Sequence, residues 1–506
     1  MILRSPGACW RVDTAPRAAF ILDMADYFTA AQAAMGKARR SIHLLNWAFE
    51  ADTLFDPQPG CVGPASDRFG GFLRTLAADN AGLDVRLLCW KAALPVAATQ
   101  NFFPQRDRRF FEGSAVKFVL DGKLPLGACH HQKMIVIDDA VAFCGGGDIG
   151  PDRWDTPLHV DDDPRREKTP AASKCYDSRH EVMALVDGPP AAALGDLFRQ
   201  RWRRATGETL AADEPLSPDA WPEAVAADFN HVSVGLSRTA GAWRGWPEIG
   251  ESNLLSLASI AAAQNTIYLE NQYFTSPIVA EALAARLEEP DGPEVVIVST
   301  QHSPSWFDRM TMDRTRSNFI LRLKQSDLHG RFHAYSPVTT LGRTIIVHAK
   351  LAIIDDRLLR IGSSNMNNRS AGFDTECDLS LEAAGETEEA SRGRIRAIRT
   401  RLLAHWLGCS IATMQSTLES QGGVGAALEA LRGSGHCRLL PIQPVKLGPL
   451  AEFIATFHVG DPVEPADSWR PVNRRRALDA EVTALAARLR TDTGQEKRAA
   501  QMDGPS

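Results

Sequence analysis

His131-Gln132-Lys133-Met134-Ile135-Val136-Ile137-Asp138 occurs a second time in this chain as His348-Ala349-Lys350-Leu351-Ala352-Ile353-Ile354-Asp355. After an interval of six residues from each aspartate stands a word of small residues, Gly145-Gly146-Gly147-Asp148 in one copy and Gly362-Ser363-Ser364-Asn365 in the other. The two blocks superimpose without a gap. A single His-x-Lys carries no information, because a histidine on a strand is ordinarily structural. Two copies at equal positions of a repeat are different. Side chains alternate along a strand with period two, so His and Lys two apart share a face. Each half of the chain is expected to present one imidazole and one ammonium to a common pocket.

The repeat extends outward from these blocks. Ser41-Ile42-His43-Leu44-Leu45-Asn46-Trp47-Ala48-Phe49 aligns with Thr266-Ile267-Tyr268-Leu269-Glu270-Asn271-Gln272-Tyr273-Phe274. Each follows a helical stretch (29–38 and 253–263) and precedes a second apolar run, Val85 to Trp90 or Val295 to Ser299. Strands alternating with helices predict two similar α/β sandwich domains that share one site at their interface. Gly207 to Glu223 carries Pro215, Pro218 and Pro222 among acids, the composition of an exposed linker. The expected organisation is a first half over 1–206, a linker over 207–234, a second half over 235–410, and a helical extension with a flexible tail over 411–506. In that extension Leu478, Val482, Leu485 and Leu489 fall at helical spacing behind Arg474-Arg475-Arg476, and the chain beyond Thr491 is polar and expected to fray.

Composition narrows the partners. At 506 residues, 44% hydrophobic and 23% charged, the chain reads as a folded globular protein. Its formal net charge of -6 supplies no global field to gather nucleic acid. No run of about 18 apolar residues is present to span a membrane, and Met1 to Thr14 lacks the core of a signal peptide. A cytoplasmic or peripheral membrane location is expected, and signal-less export remains compatible with the same sequence. Nine cysteines are scattered without C-x-x-C spacing, which reads as buried free thiols. No spacing of His, Cys or Asp builds a metal site, and Asp161-Asp162-Asp163 reads as a solvated acidic run. Neither metal nor cofactor is expected, and catalysis is expected to survive chelation. Trp10, Trp47, Trp154 and Trp202 read as packing residues, and His130, on the opposite strand face from His131, as structural.

The duplicated pair suits one reaction. A phosphodiester is an anion that repels nucleophiles, so a catalyst needs cations on its non-bridging oxygens, a nucleophile on one side and an acid on the leaving oxygen. Two His-x-Lys units provide all four groups. A neutral imidazole can attack phosphorus while a protonated one donates to the departing alkoxide.

Together with Gly145-Gly146-Gly147-Asp148-Ile149, Asp152-Arg153-Trp154-Asp155-Thr156-Pro157, His159, and Gly362 through Ser370, the paired H-x-K-x4-D motifs resemble the phospholipase D superfamily, in its eukaryotic-type branch. The resemblance covers roughly residues 15 to 410. It implies that His131 is the nucleophile and His348 the general acid, although sequence does not order them. It further implies that Lys133, Lys350, Asn365 and Ser363 bind phosphate, and that Asp138 and Asp355 complete the motifs by pinning the fold. Glu181 and Glu376, at matching positions downstream, would orient the imidazoles, with Arg179-His180-Glu181 standing where the family usually has Trp-His-Asp. The implied activity is hydrolysis of the distal phosphodiester of a glycerophospholipid at a membrane surface, through a phosphohistidine that also accepts alcohols. Cardiolipin-synthase-like transfer, nucleic-acid phosphodiester cleavage and a degenerate lipid-binding module are the alternatives. With both half-sites in one chain, a monomer is expected.

Overall fold

The apolar runs of both halves form strands, and in a computed structural model of the protein all but two short ones join one sheet; Arg179–His180 and Ile346–Val347 form a separate two-stranded sheet. The structure describes all residues except 60–63, 93–102, 167–174, 213–218, 433–437, 446–447, 468 and 503–506, with backbone alone for 307 and 489–502. Cys61, Cys437, Pro215 and Pro218 therefore lie outside the described residues.

The first half contributes β1 (Arg11–Leu22), β2 (Ser41–Asn46), β3 (Asp84–Trp90), β4 (Lys117–Asp121), β5 (Met134–Ile137), β6 (Val141–Gly145), β7 (Arg179–His180) and β8 (Val182–Asp187). The second contributes β9 (Phe229–Ala240), β10 (Ile249–Gly250), β11 (Thr266–Glu270), β12 (Glu294–Val298), β13 (Phe332–Pro337), β14 (Ile346–Val347), β15 (Leu351–Ile354), β16 (Leu358–Gly362), β17 (Glu376–Glu382) and β18 (Leu439–Pro441). Outward from the centre the first half runs β1-β8-β6-β5-β2-β3-β4 and the second β9-β17-β16-β15-β11-β12-β13-β18. The seven strands of the first order match the first seven of the second, β18 being an addition at the edge, and β1 pairs antiparallel with β9 to join the halves. The protein is an α/β fold in which the strand order of the first half recurs in the second.

Burial explains the strand compositions. β5 and β15, which follow the motif lysines, are buried along their whole length, so they read as continuous apolar runs without polar alternation. Each ends in a tight turn onto its antiparallel neighbour, with Asp138 and Asp139 at φ 54° and 51°, and Asp355 and Asp356 at φ 53° and 52°. Consecutive residues in the left-handed region are a demand that aspartate meets better than most residues. One face of the sheet carries a core shared by both halves. Trp202 of the helix Pro189–Thr206 and Trp406 of the helix Glu388–Leu407 lie in it. The opposite face carries a separate core for each half.

The C-terminal helix Pro471–Met502 turns Leu478 and Leu485 inward, and Leu485 packs against the core of the second half. It continues past Thr491, where polarity suggested fraying. Ala, Gln, Lys, Glu and Arg dominate that segment and are good helix formers, so polarity alone does not end the helix. Among the described residues no helix is long and apolar enough to cross a membrane, and Cys9, Cys89, Cys129, Cys144, Cys377 and Cys409 are free thiols.

Candidate active site

Each His-x-Lys segment pairs with the other half of the chain before its own strand begins. Residues Ile346 and Val347 of β14 lie parallel to Arg179 and His180 of β7, and the His348 amide donates to the His180 carbonyl at 2.9 Å. The first half repeats this: His130 bridges Thr375, and the His131 amide donates to the Thr375 carbonyl at 3.0 Å. The residue after each pairing segment is a glutamate, so the crossing delivers Glu376 to His131 and Glu181 to His348.

Nδ1 of His131 lies 3.0 and 2.9 Å from the two carboxylate oxygens of Glu376. Nδ1 of His348 bonds to Oε2 of Glu181. Both carboxylates are fully buried. Glu376 also accepts from Ser363 Oγ at 2.5 Å and Ser370 Oγ at 2.6 Å. The Ser363 hydroxyl is thus engaged in holding a carboxylate. Such a partner keeps the proton on Nδ1 and leaves the Nε2 lone pair free.

The lysines fold back on their own motifs. Lys133 Nζ donates to the His131 carbonyl at 2.6 Å and stands 3.6 Å from Asp148 Oδ2. Lys350 Nζ donates to the His348 carbonyl. Asp148 accepts from the Ala48 amide at 3.0 Å through its other oxygen, which ties the first glycine word to the end of β2. The two motifs meet at Gly146, where a Cβ would lie 2.5 Å from Glu181 Oε1, 3.0 Å from Lys350 Cδ and 3.2 Å from the His348 carbonyl oxygen. Asn365 donates its amide to Ser370 Oγ at 3.0 Å, and its side-chain Oδ1 is buried without a hydrogen-bond partner among the described residues.

Asp138 and Asp355 lie away from this cluster, at the far ends of β5 and β15. Asp138 accepts from the amides of Arg39, Arg40 and Ser41 at 2.9, 2.7 and 2.8 Å. Asp355 accepts from those of Gln264, Asn265 and Thr266 at 2.7, 2.7 and 2.8 Å. Both carboxylates cap the chain entering the neighbouring strand.

Burial and crowded cations set the protonation of the free site. His131 is held well below the usual imidazole range by desolvation, then by Lys133 and Lys350. His348 is lowered by desolvation, then by Lys350, Arg179 and Arg153. Burial pushes Lys350 down to about 7 against the opposing pull of Glu181. Glu181 and Glu376 are raised, chiefly by burial. The site therefore gathers desolvated bases and cations that an anion would satisfy. Arg179 and Arg153 did not emerge as site residues from sequence. The available signal was Arg179 itself, an arginine in place of the expected tryptophan, and burial with Arg153 beside it lowers it to about 10.

The remaining expectations concern packing. Trp154 and Trp202 are buried, Trp47 stacks on Trp90 at 5.7 Å, and Trp10 lies under Arg11 and Arg238 at 4.4 and 4.2 Å. The acidic run is engaged in ion pairs and hydrogen bonds: Asp161 accepts from Thr339, Asp162 pairs with Arg343, and Asp163 with Arg165.

A family model described as cardiolipin synthase, PLD-like domain, matches residues 257–393. The chain is 24% identical over 516 residues to phospholipase D alpha 1 of Ricinus communis, an alignment covering 74% of this chain and 63% of that protein. It is 25% identical over 324 residues to phospholipase D1 of Schizosaccharomyces pombe, covering 48% of this chain and 24% of the yeast protein. The chain thus spans just under two thirds of the length of the plant relative. In fold it resembles the phosphatidylserine synthase of Haemophilus influenzae Rd KW20, with a TM-score of 0.51 at 14% identity over 85% of this chain and 97% of that one. A duplicated sheet with a His-x-Lys block in each half, and relatives of this kind along most of its length, make the chain a member of the phospholipase D superfamily.

Proposed function

We propose that the protein is a phospholipase D, hydrolysing the distal phosphodiester of a glycerophospholipid such as phosphatidylcholine to phosphatidic acid and free head group. The observation that carries this reading is the crossed pair of glutamate-held histidines, each two residues from a buried lysine. In the proposed sequence Nε2 of His131 attacks phosphorus and the bond to the head-group oxygen breaks. His348, protonated once the anionic substrate is bound, gives its proton to that oxygen. His348 then takes a proton from water, which attacks the phosphohistidine and returns the electron pair to His131. Lys133, Lys350 and Asn365 hold the non-bridging oxygens, where removing one such contact is worth about 3 kcal/mol in related chemistry. The two serine donors on Glu376 support the choice of His131 as nucleophile, because they steady the carboxylate that fixes its tautomer. The protein would act at a membrane surface as a monomer with no cofactor in the chemical step.

The test is product analysis after incubation with phosphatidylcholine vesicles and a little ethanol, beside His131→Ala and His348→Ala. Phosphatidic acid and phosphatidylethanol from the wild type, absent from both variants, are expected. Hydrolysis that never yields phosphatidylethanol would remove the covalent step. The match to a cardiolipin synthase domain over residues 257–393 favours one second reading, transfer of the phosphatidyl group to an alcohol on another lipid. Phosphatidylglycerol as sole lipid distinguishes the two: transfer gives a dimeric lipid and glycerol, whereas hydrolysis gives phosphatidic acid.

A further inference from the structure

Beside the backbone of Glu181, Asp23, His159, His180 and His405 converge: one ligand atom from each lies within 4.8 Å of all the others. The first three side chains are almost wholly buried. Among the described residues, Asp23 Oδ2, His159 Nε2, His180 Nδ1 and His405 Nε2 are all buried atoms without a hydrogen-bond partner. Four unsatisfied polar atoms in one spot is a heavy cost for a protein interior, where such groups are nearly always paired.

The outer atoms of the same groups are tightly held. His159 Nδ1 lies 2.9 Å from Asp155 Oδ2, and His180 Nε2 lies 2.6 Å from Glu270 Oε2. A carboxylate that takes the proton of the outer nitrogen leaves the inner nitrogen as a lone pair in the neutral ring, the arrangement that surrounds metal-bound histidines. Asp23 Oδ1 accepts from the Glu181 amide at 2.9 Å, leaving Oδ2 to face His159 Nε2 at 3.7 Å. Asp23, Asp155 and Glu270 are three buried carboxylates around this point, faced by Arg166, 3.8 Å from Asp155, and by Arg438.

We infer that Asp23, His159, His180 and His405 form a structural site for a divalent transition metal of the zinc class. Three imidazoles and one carboxylate select such an ion over calcium or magnesium, which take oxygen ligands. Four protein ligands close the coordination shell, so the ion holds structure and activates no water. Ligand distances of about 2.0–2.1 Å place tetrahedral ligand atoms about 3.4 Å apart, so a set whose atoms lie within 4.8 Å of one another contracts on binding the ion. A metal-free alternative exists, in which His180 is a buried imidazolium between Asp23, at 3.3 Å, and Glu270. It leaves the inward nitrogens of His159 and His405 unsatisfied. The four positions are far apart in sequence, which is why spacing conceals the set.

The site's purpose follows from what it ties together. Asp23 brackets the Glu181 backbone, donating its own amide to the Glu181 carbonyl at 2.9 Å as well as accepting from the Glu181 amide. His405 belongs to the helix Glu388–Leu407 of the second half. An ion here would staple the halves and hold Glu181 beneath His348.

The test is elemental analysis of the untagged full-length protein from zinc-replete medium, with thermal unfolding before and after prolonged treatment with a strong chelator. About one zinc per chain, a fall in Tm of at least about 5 °C on its removal, and intense visible bands of four-coordinate Co(II) on reconstitution are expected. Asp23→Asn and His405→Phe should lose the metal, whereas His43→Phe, at a buried histidine stacked on Phe198, should keep it. Should the first two variants fail to fold, Co(II) titration of the chelator-treated wild type decides. Substoichiometric metal with no Tm response to added Zn(II) or Co(II), or full metal content in Asp23→Asn and His405→Phe, would overturn the site.

Discussion

Glu376 holds Nδ1 of His131 at 2.9 Å across 245 positions of sequence, while Glu181 holds His348 in the opposite direction. Neither half of the chain orients its own histidine. The exchange makes each imidazole depend on the docking of the halves, and the parallel pairing of β7 with β14 shows how the backbone enforces it.

Glu376→Gln should leave the fold intact and lower kcat by about 100- to 10,000-fold, the range seen when a histidine loses the carboxylate that fixes its tautomer. The amide replaces one of the two accepting oxygens with an NH2 donor and removes the charge, so it no longer holds the proton of His131 on Nδ1 and the ring is free to place it on Nε2. The measurement is steady-state kinetics on phosphatidylcholine vesicles with circular dichroism as the control. Unchanged kcat would mean that Glu376 only fills space.

Lys350 makes the site's affinity for anions depend on pH. Its pKa is lowered from 10.5 to about 7, principally by burial. Above about 7 the free protein loses this charge, so binding a non-titrating anion such as tungstate requires a proton. Affinity should fall as pH rises, approaching tenfold per unit. In Lys350→Met the affinity should be weaker at pH 6 and nearly flat to pH 9 by calorimetry. The linkage to folding has a definite sign. Between about 7 and 10.5 the unfolded chain holds the proton and the native one does not, so this group makes stability rise with pH in that window.

The motif aspartates should report on stability. Asp355→Ala removes an acceptor for three consecutive amides and is expected to cost about 2–4 kcal/mol in urea unfolding, with kcat for the folded fraction within a few-fold of wild type. Asp138→Ala should behave alike because its three amide contacts are equivalent. A stable but inactive Asp355→Ala protein would place the residue in the chemistry.

How legible the site was in sequence depends on whether a relation is local. His131 with Lys133, and His348 with Lys350, can be read because alternation on a strand and an internal repeat are linear patterns. The strands and their paired order follow from the same repeat. The matching of Glu376 to His131 could not be read, since both glutamates have equal claims until the halves dock. Ser363 sits in a recognisable word, yet its hydroxyl reaches Glu376 only because β16 and β17 are neighbours. Arg153 and Arg179 acquire their influence on His348 through burial, which composition does not reveal.

Gly146 and Ser363 are counterparts in the two motif words, and their difference yields the sharpest expectation. In the second half the serine side chain supports its glutamate from 2.5 Å. In the first half there is no room for one, since a Cβ at Gly146 would collide with Glu181 at 2.5 Å and crowd Lys350 at 3.0 Å. Gly146→Ala should therefore displace the carboxylate from His348 and lower kcat by at least about tenfold, with an overpacking penalty of about 1–3 kcal/mol. Gly146→Ser should do no better, because the obstacle is the Cβ. Ser363→Ala should be milder, since Ser370 still donates to Glu376. Equal losses in Gly146→Ala and Ser363→Ala would show that the halves tolerate change alike and that the asymmetry between their histidines is not built at this position.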